Sequence, residues 1–111
     1  MSRHDPQMLK GVLSVLLLSL LTAQEDYGYR VVVRLKEHGF TDLAEGTVYP
    51  ALARLESQGL LSSRLVPSNS GPARKYYTPT PAGASELARA VQAWQHLAVS
   101  VSGVLSEGAR L

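Results

Sequence analysis

The chain contains no cysteine among its 111 residues. Disulfides, thiolate metal sites and cysteine nucleophiles are excluded together. The three histidines, His4, His38 and His96, are scattered. None has a second ligand at a metal-binding spacing, so each reads as a surface histidine, and neither a metal nor a cofactor is expected. A Ser/His/Asp arrangement, a paired-carboxylate site and a phosphate-cradling glycine loop are also lacking. Glu25, Asp26, Glu37, Asp42 and Glu45 read as ordinary helix-end and turn charges. An enzyme is therefore the poorest functional class. The greasiest stretch, Val12 to Leu21, is ten residues long, well short of the roughly 18 to 20 that a membrane span needs. Arg3 and Lys10 before it imitate a signal peptide, but Asp5 interrupts the positive region and Leu21 is too large for a small-x-small cleavage site. No membrane partner is expected.

Net charge is small as well, at +2, which alone says little about an anionic partner. Its placement says more. From Gly46 to Tyr77 four basic residues (Arg54, Arg64, Arg74 and Lys75) stand against one acid, Glu56, a local +3 that leaves the remainder at −1. Hydrophobic residues make up 45% of the chain, which bounds it as one globular domain with a single modest core.

Taken in order, residues 1–8 are polar, include Pro6, and read as a flexible N-terminal arm. Leu9, Val12, Leu13, Leu16, Leu17, Leu20 and Leu21 recur at helical spacing and predict a core helix. Val15 and Leu18 lie off that stripe and predict burial on two sides, for which a partner subunit is one source. Gln24-Glu25-Asp26 opens a second helix over Tyr27 to Glu37, with Gly28, Val31, Val32 and Leu35 on one face and His38-Gly39 at its end. Phe40 to Ala44 is a turn. Thr47 to Gln58 reads as a third helix, with Val48, Leu52 and Leu55 as its buried stripe and Gly59 as its stop. Asp42 or Glu45 can cap it, and Pro50 is placed in its first turn, where no N–H is required. The opposite face presents Thr47, Tyr49, Arg54 and Gln58, side chains able to bond phosphates or base edges. Two β-favouring runs follow, Leu61 to Val66 and Arg74 to Thr78, separated by a hairpin tip over Pro67 to Ala73.

Thr80 can cap a last helix that opens at Pro81 and runs to about Leu105. Along it Leu87, Val91, Trp94, Ala98, Val101 and Leu105 step by 4, 3, 4, 3, 4, the seam of a coiled coil. Burial against a second copy is favoured, because the first three helices already have partners in one another; packing on its own domain is the alternative. The fold class that follows is mainly α with a small β-hairpin: a winged helix-turn-helix over 9–80, a C-terminal dimerisation helix over 81–105, and a tail over 106–111.

Leu9-Lys10-Gly11, Tyr27-Gly28-Tyr29, Glu45-Gly46-Thr47-Val48-Tyr49-Pro50-Ala51-Leu52, Arg54-Leu55-Glu56, Gly59-Leu60-Leu61, Arg74-Lys75-Tyr76-Tyr77 and Thr80 with Gly83 occur in the order of the PadR-like transcriptional regulators. Over nearly the whole chain the sequence resembles that family. The resemblance implies a dimeric, DNA-binding repressor of the cytoplasm, often relieved by a small ligand. It adds Tyr29 to a DNA-contacting set of Thr47, Tyr49, Arg54, Arg74, Lys75 and Tyr76, although a tyrosine ring packed on the core accounts for Tyr27 or Tyr29 equally well. Some members bind flat aromatic compounds near their dimer interface, so Trp94, the only tryptophan, is both a seam residue and a candidate ligand contact. Two departures stand out. Ala44 occupies a position where the family commonly has Ser or Thr, and Pro79 replaces its usual Leu, which predicts an early end to the second wing strand. The partners expected are a pseudo-palindromic duplex, a second copy of the chain and a small aromatic effector. The competing function is a winged-helix module for protein–protein contact without DNA.

Overall fold

The computed structural model describes residues 4–109. In chain order these form α1 (Pro6–Ala23), β1 (Asp26–Tyr27), α2 (Gly28–Glu37), α3 (Glu45–Ser57), β2 (Leu61–Ser68), β3 (Gly71–Pro79) and α4 (Pro81–Ala109). The three strands make one antiparallel sheet in the order β1-β3-β2. Its inner edge and the helices enclose a core built from Leu17, Leu18 and Leu21 of α1, Val31 and Leu35 of α2, Val48, Leu52 and Leu55 of α3, and Leu61 and Tyr77 of the sheet.

The helix begins within the arm expected over 1–8. Asp5 caps α1, its Oδ1 accepting from the amides of Gln7 and Met8 at 2.8 and 3.2 Å, and Pro6 fills the first helical position. His4 is docked as well. Its backbone amide donates to Asp42 Oδ2 at 2.8 Å, and its ring stacks on Phe40 with centroids 4.6 Å apart. The hydrogen bond to Asp42 crosses 38 residues of chain, which no local pattern can reveal; the first three residues of the arm lie outside the described residues. With Asp42 turned towards His4, α3 starts from Ala44 without a side-chain cap. Pro50 is then the sixth residue of α3 rather than a first-turn residue. The carbonyl of Gly46 forgoes its helical donor, a loss that its exposure to water makes bearable.

By length and composition α1 could cross a bilayer, but Leu13, Leu17, Leu18 and Leu21 are buried in the core. It touches α4 and β3 in addition to α2 and α3. That accounts for Leu18, 1% exposed, from within one chain and without a second copy. Strand β1, which has too few residues to show a period, pairs Asp26 with Tyr77 and Tyr27 with Tyr76. Asp26 is buried and meets Arg34 Nη1 at 3.3 Å. The same guanidinium donates to the carbonyls of Leu20 (2.7 Å) and Gln24 (3.2 Å). It therefore ties the end of α1 to the start of the sheet.

Helix α3 ends as its glycine implied. Gly59 has a φ of 77°, and the amide of Leu60 closes back on the carbonyl of Leu55 at 2.9 Å. The wing is longer than expected. Pro67 lies within β2 at a register shift between Val66 and Ser68, on an edge strand where its missing N–H is tolerated. Pro79 does not end β3 early. It pairs with Leu61 beyond the reach of β1, so only one side of the strand has to be satisfied there.

Thr80 holds the corner into α4: its hydroxyl donates to the Gly59 carbonyl at 2.6 Å and accepts from the Gly83 amide at 3.0 Å. Gly83 is buried against the carbonyl of Leu60, where a Cβ would collide with backbone. From there α4 runs 29 residues to Ala109, so the tail expected from 106 is helical up to that point, and residues 110–111 lie outside the described residues. A helix of that length is about 43 Å long. It stretches the molecule to 61 Å along its longest axis.

Candidate nucleic-acid interface

Helix α3 separates its two faces cleanly. Val48, Ala51, Leu52 and Leu55 are buried, while Thr47, Tyr49, Arg54 and Gln58 are exposed. Tyr49 stands at 43% exposure beside the N-terminal turn of α2, where Tyr29 is 54% exposed. Gly28 makes that approach possible, since a Cβ there would lie 2.5 Å from Cε1 of Tyr49. Burial of its inner edge, with a smaller push from Glu45, raises the Tyr49 hydroxyl above its ordinary pKa. It remains a neutral donor and acceptor.

The wing divides the residues expected to act together. Arg74 and Tyr76 alternate with Lys75 and Tyr77 along β3, because successive strand side chains point to opposite faces. The Arg74 guanidinium lies 4.6 Å over the Tyr27 ring, and Tyr76 meets Tyr27 at 5.2 Å between centroids. Lys75 instead reaches α3, with Nζ 2.8 Å from Glu56 Oε1, and the other Glu56 oxygen accepts from Ser63. The Lys75 ammonium, followed by Ser63, holds the Glu56 carboxyl below its ordinary value. This tie is thus complete at neutral pH and is lost only as pH falls through that depressed value. Arg64, the remaining cation of the wing, is paired with Glu25 at 2.7 Å. Of the four cations between Gly46 and Tyr77, Arg54 and Arg74 alone have no carboxylate partner among the described residues.

The seam expected on α4 also divides. Leu87 is packed on the protein's own core and Val91 is half-buried. Trp94 (50%), Val101 (46%) and Leu105 (66%) are exposed along the outer half together with Leu97 and Val104, and Ala98 is intermediate. Tyr27, which the Tyr27-Gly28-Tyr29 block had already brought into view, lies against Arg74 and Tyr76. The role of Glu56 in holding Lys75 was not foreseen, since it stands in sequence as a lone acid among bases.

A helix-turn-helix of α2 and α3, followed by the β2–β3 wing that β1 joins as a third strand, defines a winged-helix protein; the long α4 extends it. Residues 17–89 match the family model described as the transcriptional regulator PadR-like family. The transcriptional regulator Rv3488 of Mycobacterium tuberculosis is 41% identical over 81 residues, covering 71% of this chain and 72% of that protein. A PadR-like transcriptional regulator from Bacillus cereus superposes with a TM-score of 0.80 at 39% identity, over 89% of this chain and 96% of the other. PadR of Bacillus subtilis in complex with operator DNA aligns with a TM-score of 0.64 at 29% identity, over 70% of this chain and 45% of that one. The chain belongs to the PadR-like family of transcriptional regulators, which are not enzymes.

Proposed function

We propose that the chain is a dimeric cytoplasmic repressor that reads a pseudo-palindromic DNA site with α3 and steadies itself with the wing. The observation that carries this is the outward face of α3, with Thr47, Tyr49, Arg54 and Gln58 exposed and Arg54 without a carboxylate partner among the described residues. The Bacillus subtilis relative bound to operator DNA supports it. Two copies of α3 enter successive major grooves about 34 Å apart. Tyr29, Tyr76 and Arg74 take backbone contacts around them, and occupancy of a promoter is enough to block transcription. The second copy is held by the outer half of α4, where Trp94, Val101 and Leu105 are exposed in the single chain. Trp94, set near the two-fold axis, offers a stacking surface for a flat aromatic effector that alters the spacing of the two reading helices. Selection of bound duplexes from a random pool tests the whole reading. An inverted repeat is the expected product, and failure to enrich any duplex overturns it.

In this reading Arg74 and Lys75 carry unequal weight. Arg74→Ala is expected to lower the magnitude of the log–log salt slope of DNA binding by about 0.9, the value of one phosphate contact. Lys75→Ala is expected to lower it by less than half of that, because Lys75 is neutralised by Glu56. Equal changes in the two variants, measured by titration over a range of salt, would mean that Lys75 leaves Glu56 for the DNA.

A further inference from the structure

The β2–β3 wing carries three cations, Arg64, Arg74 and Lys75, and carboxylates from outside the wing hold two of them. Glu25, just before β1, takes Arg64 at two points: Nη2 donates to Oε1 at 2.7 Å and Nε to Oε2 at 2.9 Å. That edge of the guanidinium is a fork that would otherwise fit a phosphate. Glu56, in the last turn of α3, holds the Lys75 ammonium at 2.8 Å and is itself fixed by the Ser63 hydroxyl. Its place matters, because Lys75 borders the cleft between the start of α2, α3 and the wing, which Tyr49 and Arg74 also line. A released Lys75 would stand beside the reading face.

Stability does not account for these pairs. The Arg64 and Lys75 side chains are 63% and 48% exposed, and ion pairs so open to solvent contribute little to the fold. The buried Arg34–Asp26 pair holds the root of the sheet instead. Arg64 lowers the Glu25 carboxyl below its ordinary value, as Lys75 and Ser63 do for Glu56, so both carboxylates are charged at neutral pH. What the pairs do change is the charge that the wing can offer. Of its three cations, Arg74 alone has no carboxylate partner among the described residues. Phosphate contacts strengthen binding to every sequence alike, and a genome offers a vast excess of wrong sites. We propose that Glu25 and Glu56 withhold Arg64 and Lys75 from the DNA backbone and so limit sequence-independent binding. Retention on DNA is thereby left to the contacts of α3; this role rests on the DNA-reading function proposed above.

The test titrates the full chain with a pool of random-sequence duplexes over a range of salt. Glu25→Gln and Glu56→Gln, which keep the shape and remove the charge, should each raise the magnitude of the log–log salt slope by about 0.9, one phosphate contact. Between about 50 and 200 mM salt, each substitution then deepens the loss of affinity by about 3.5-fold. The double variant should show both increments. Adding Lys75→Ala to Glu56→Gln, or Arg64→Ala to Glu25→Gln, should return the slope to near the wild-type value, because the freed cation is gone. Glu86→Gln is the control for net charge: it frees Arg89 on α4, away from the wing, and should leave the slope unchanged. An unmoved slope in Glu25→Gln or Glu56→Gln overturns the role of that carboxylate, and so does an increase that survives removal of its cation. An equal increase in Glu86→Gln overturns both roles, since charge alone would then suffice. A wild-type chain that binds no duplex overturns the DNA-reading function and this role with it. A wild-type chain that binds duplex with a slope indifferent to both substitutions overturns this role alone.

Discussion

Val101→Asp is expected to convert the proposed dimer into a folded monomer. Val101 is 46% exposed in the single chain, on the part of α4 that carries Trp94, Leu97 and Leu105 outward, beyond the packed Leu87 and the buried Ala90. A carboxylate there meets water in the monomer and costs the domain little. In the proposed dimer it would be taken out of water against apolar neighbours, an effective penalty of several kcal/mol per buried ion. A weakening of about 4 kcal/mol raises Kd roughly a thousandfold, from micromolar to millimolar. Sedimentation should show the monomer while circular dichroism keeps its helical signal, and binding to an inverted repeat should collapse to that of a half-site. Val91→Asp is a different experiment. Val91 is half-buried in the single chain, next to the buried Ala90, so that change should lower the unfolding free energy of the domain itself. A Val101→Asp chain that stays dimeric at micromolar concentration would overturn the proposed role of the outer helix.

Arg34→Ala carries the largest expected loss of stability. Asp26 is only 6% exposed, and the side chains of Arg34 and Asp26 are 14% and 9% exposed, so solvent screens this pair little. Removing one partner of a buried pair costs about 3 to 5 kcal/mol, because the other charge is left without compensation. Here the carbonyls of Leu20 and Gln24 lose the guanidinium as well, although Leu20 keeps the Gln24 amide at 3.1 Å. Denaturant unfolding should show the loss as a lower midpoint with an unchanged slope. Asp26→Asn in the same background should recover part of it. A loss below about 1 kcal/mol would mean that water reaches Asp26 as readily as Arg34 does. The pair matters for the interface too, since β1 leads directly into Gly28 and the tyrosines on either side of it.

How far the sequence reaches can be read from particular elements. Spacing alone located the core stripe of α1, the buried face of α3, the corner at Thr80 and Pro81, and the stop at Gly59, because each is a rule of local geometry with a period or a cap. The outward set of Thr47, Tyr49 and Arg54 followed from the same period. Adjacent residues misled where strand alternation intervened: Arg74 and Lys75 look like one basic pair in sequence, yet one stacks on Tyr27 and the other pairs with Glu56. Pro79 misled in the opposite sense, since a missing N–H matters only where a neighbouring strand asks for it.

What the sequence determined by itself is therefore the succession of elements, their buried faces and the family to which they belong, all encoded in contacts a few residues apart. Tertiary structure alone decided which groups meet across long separations. It brought His4 to Asp42 and β1 to β3, set Arg34 under the end of α1, and gathered four tyrosines around one cleft. It also divided the apolar stripe of α4, covering Leu87 and leaving Trp94, Val101 and Leu105 bare. The physical reason is common to all of these. Periodicity reports that a face is apolar, whereas the surface that covers it depends on where the remainder of the chain has already been packed.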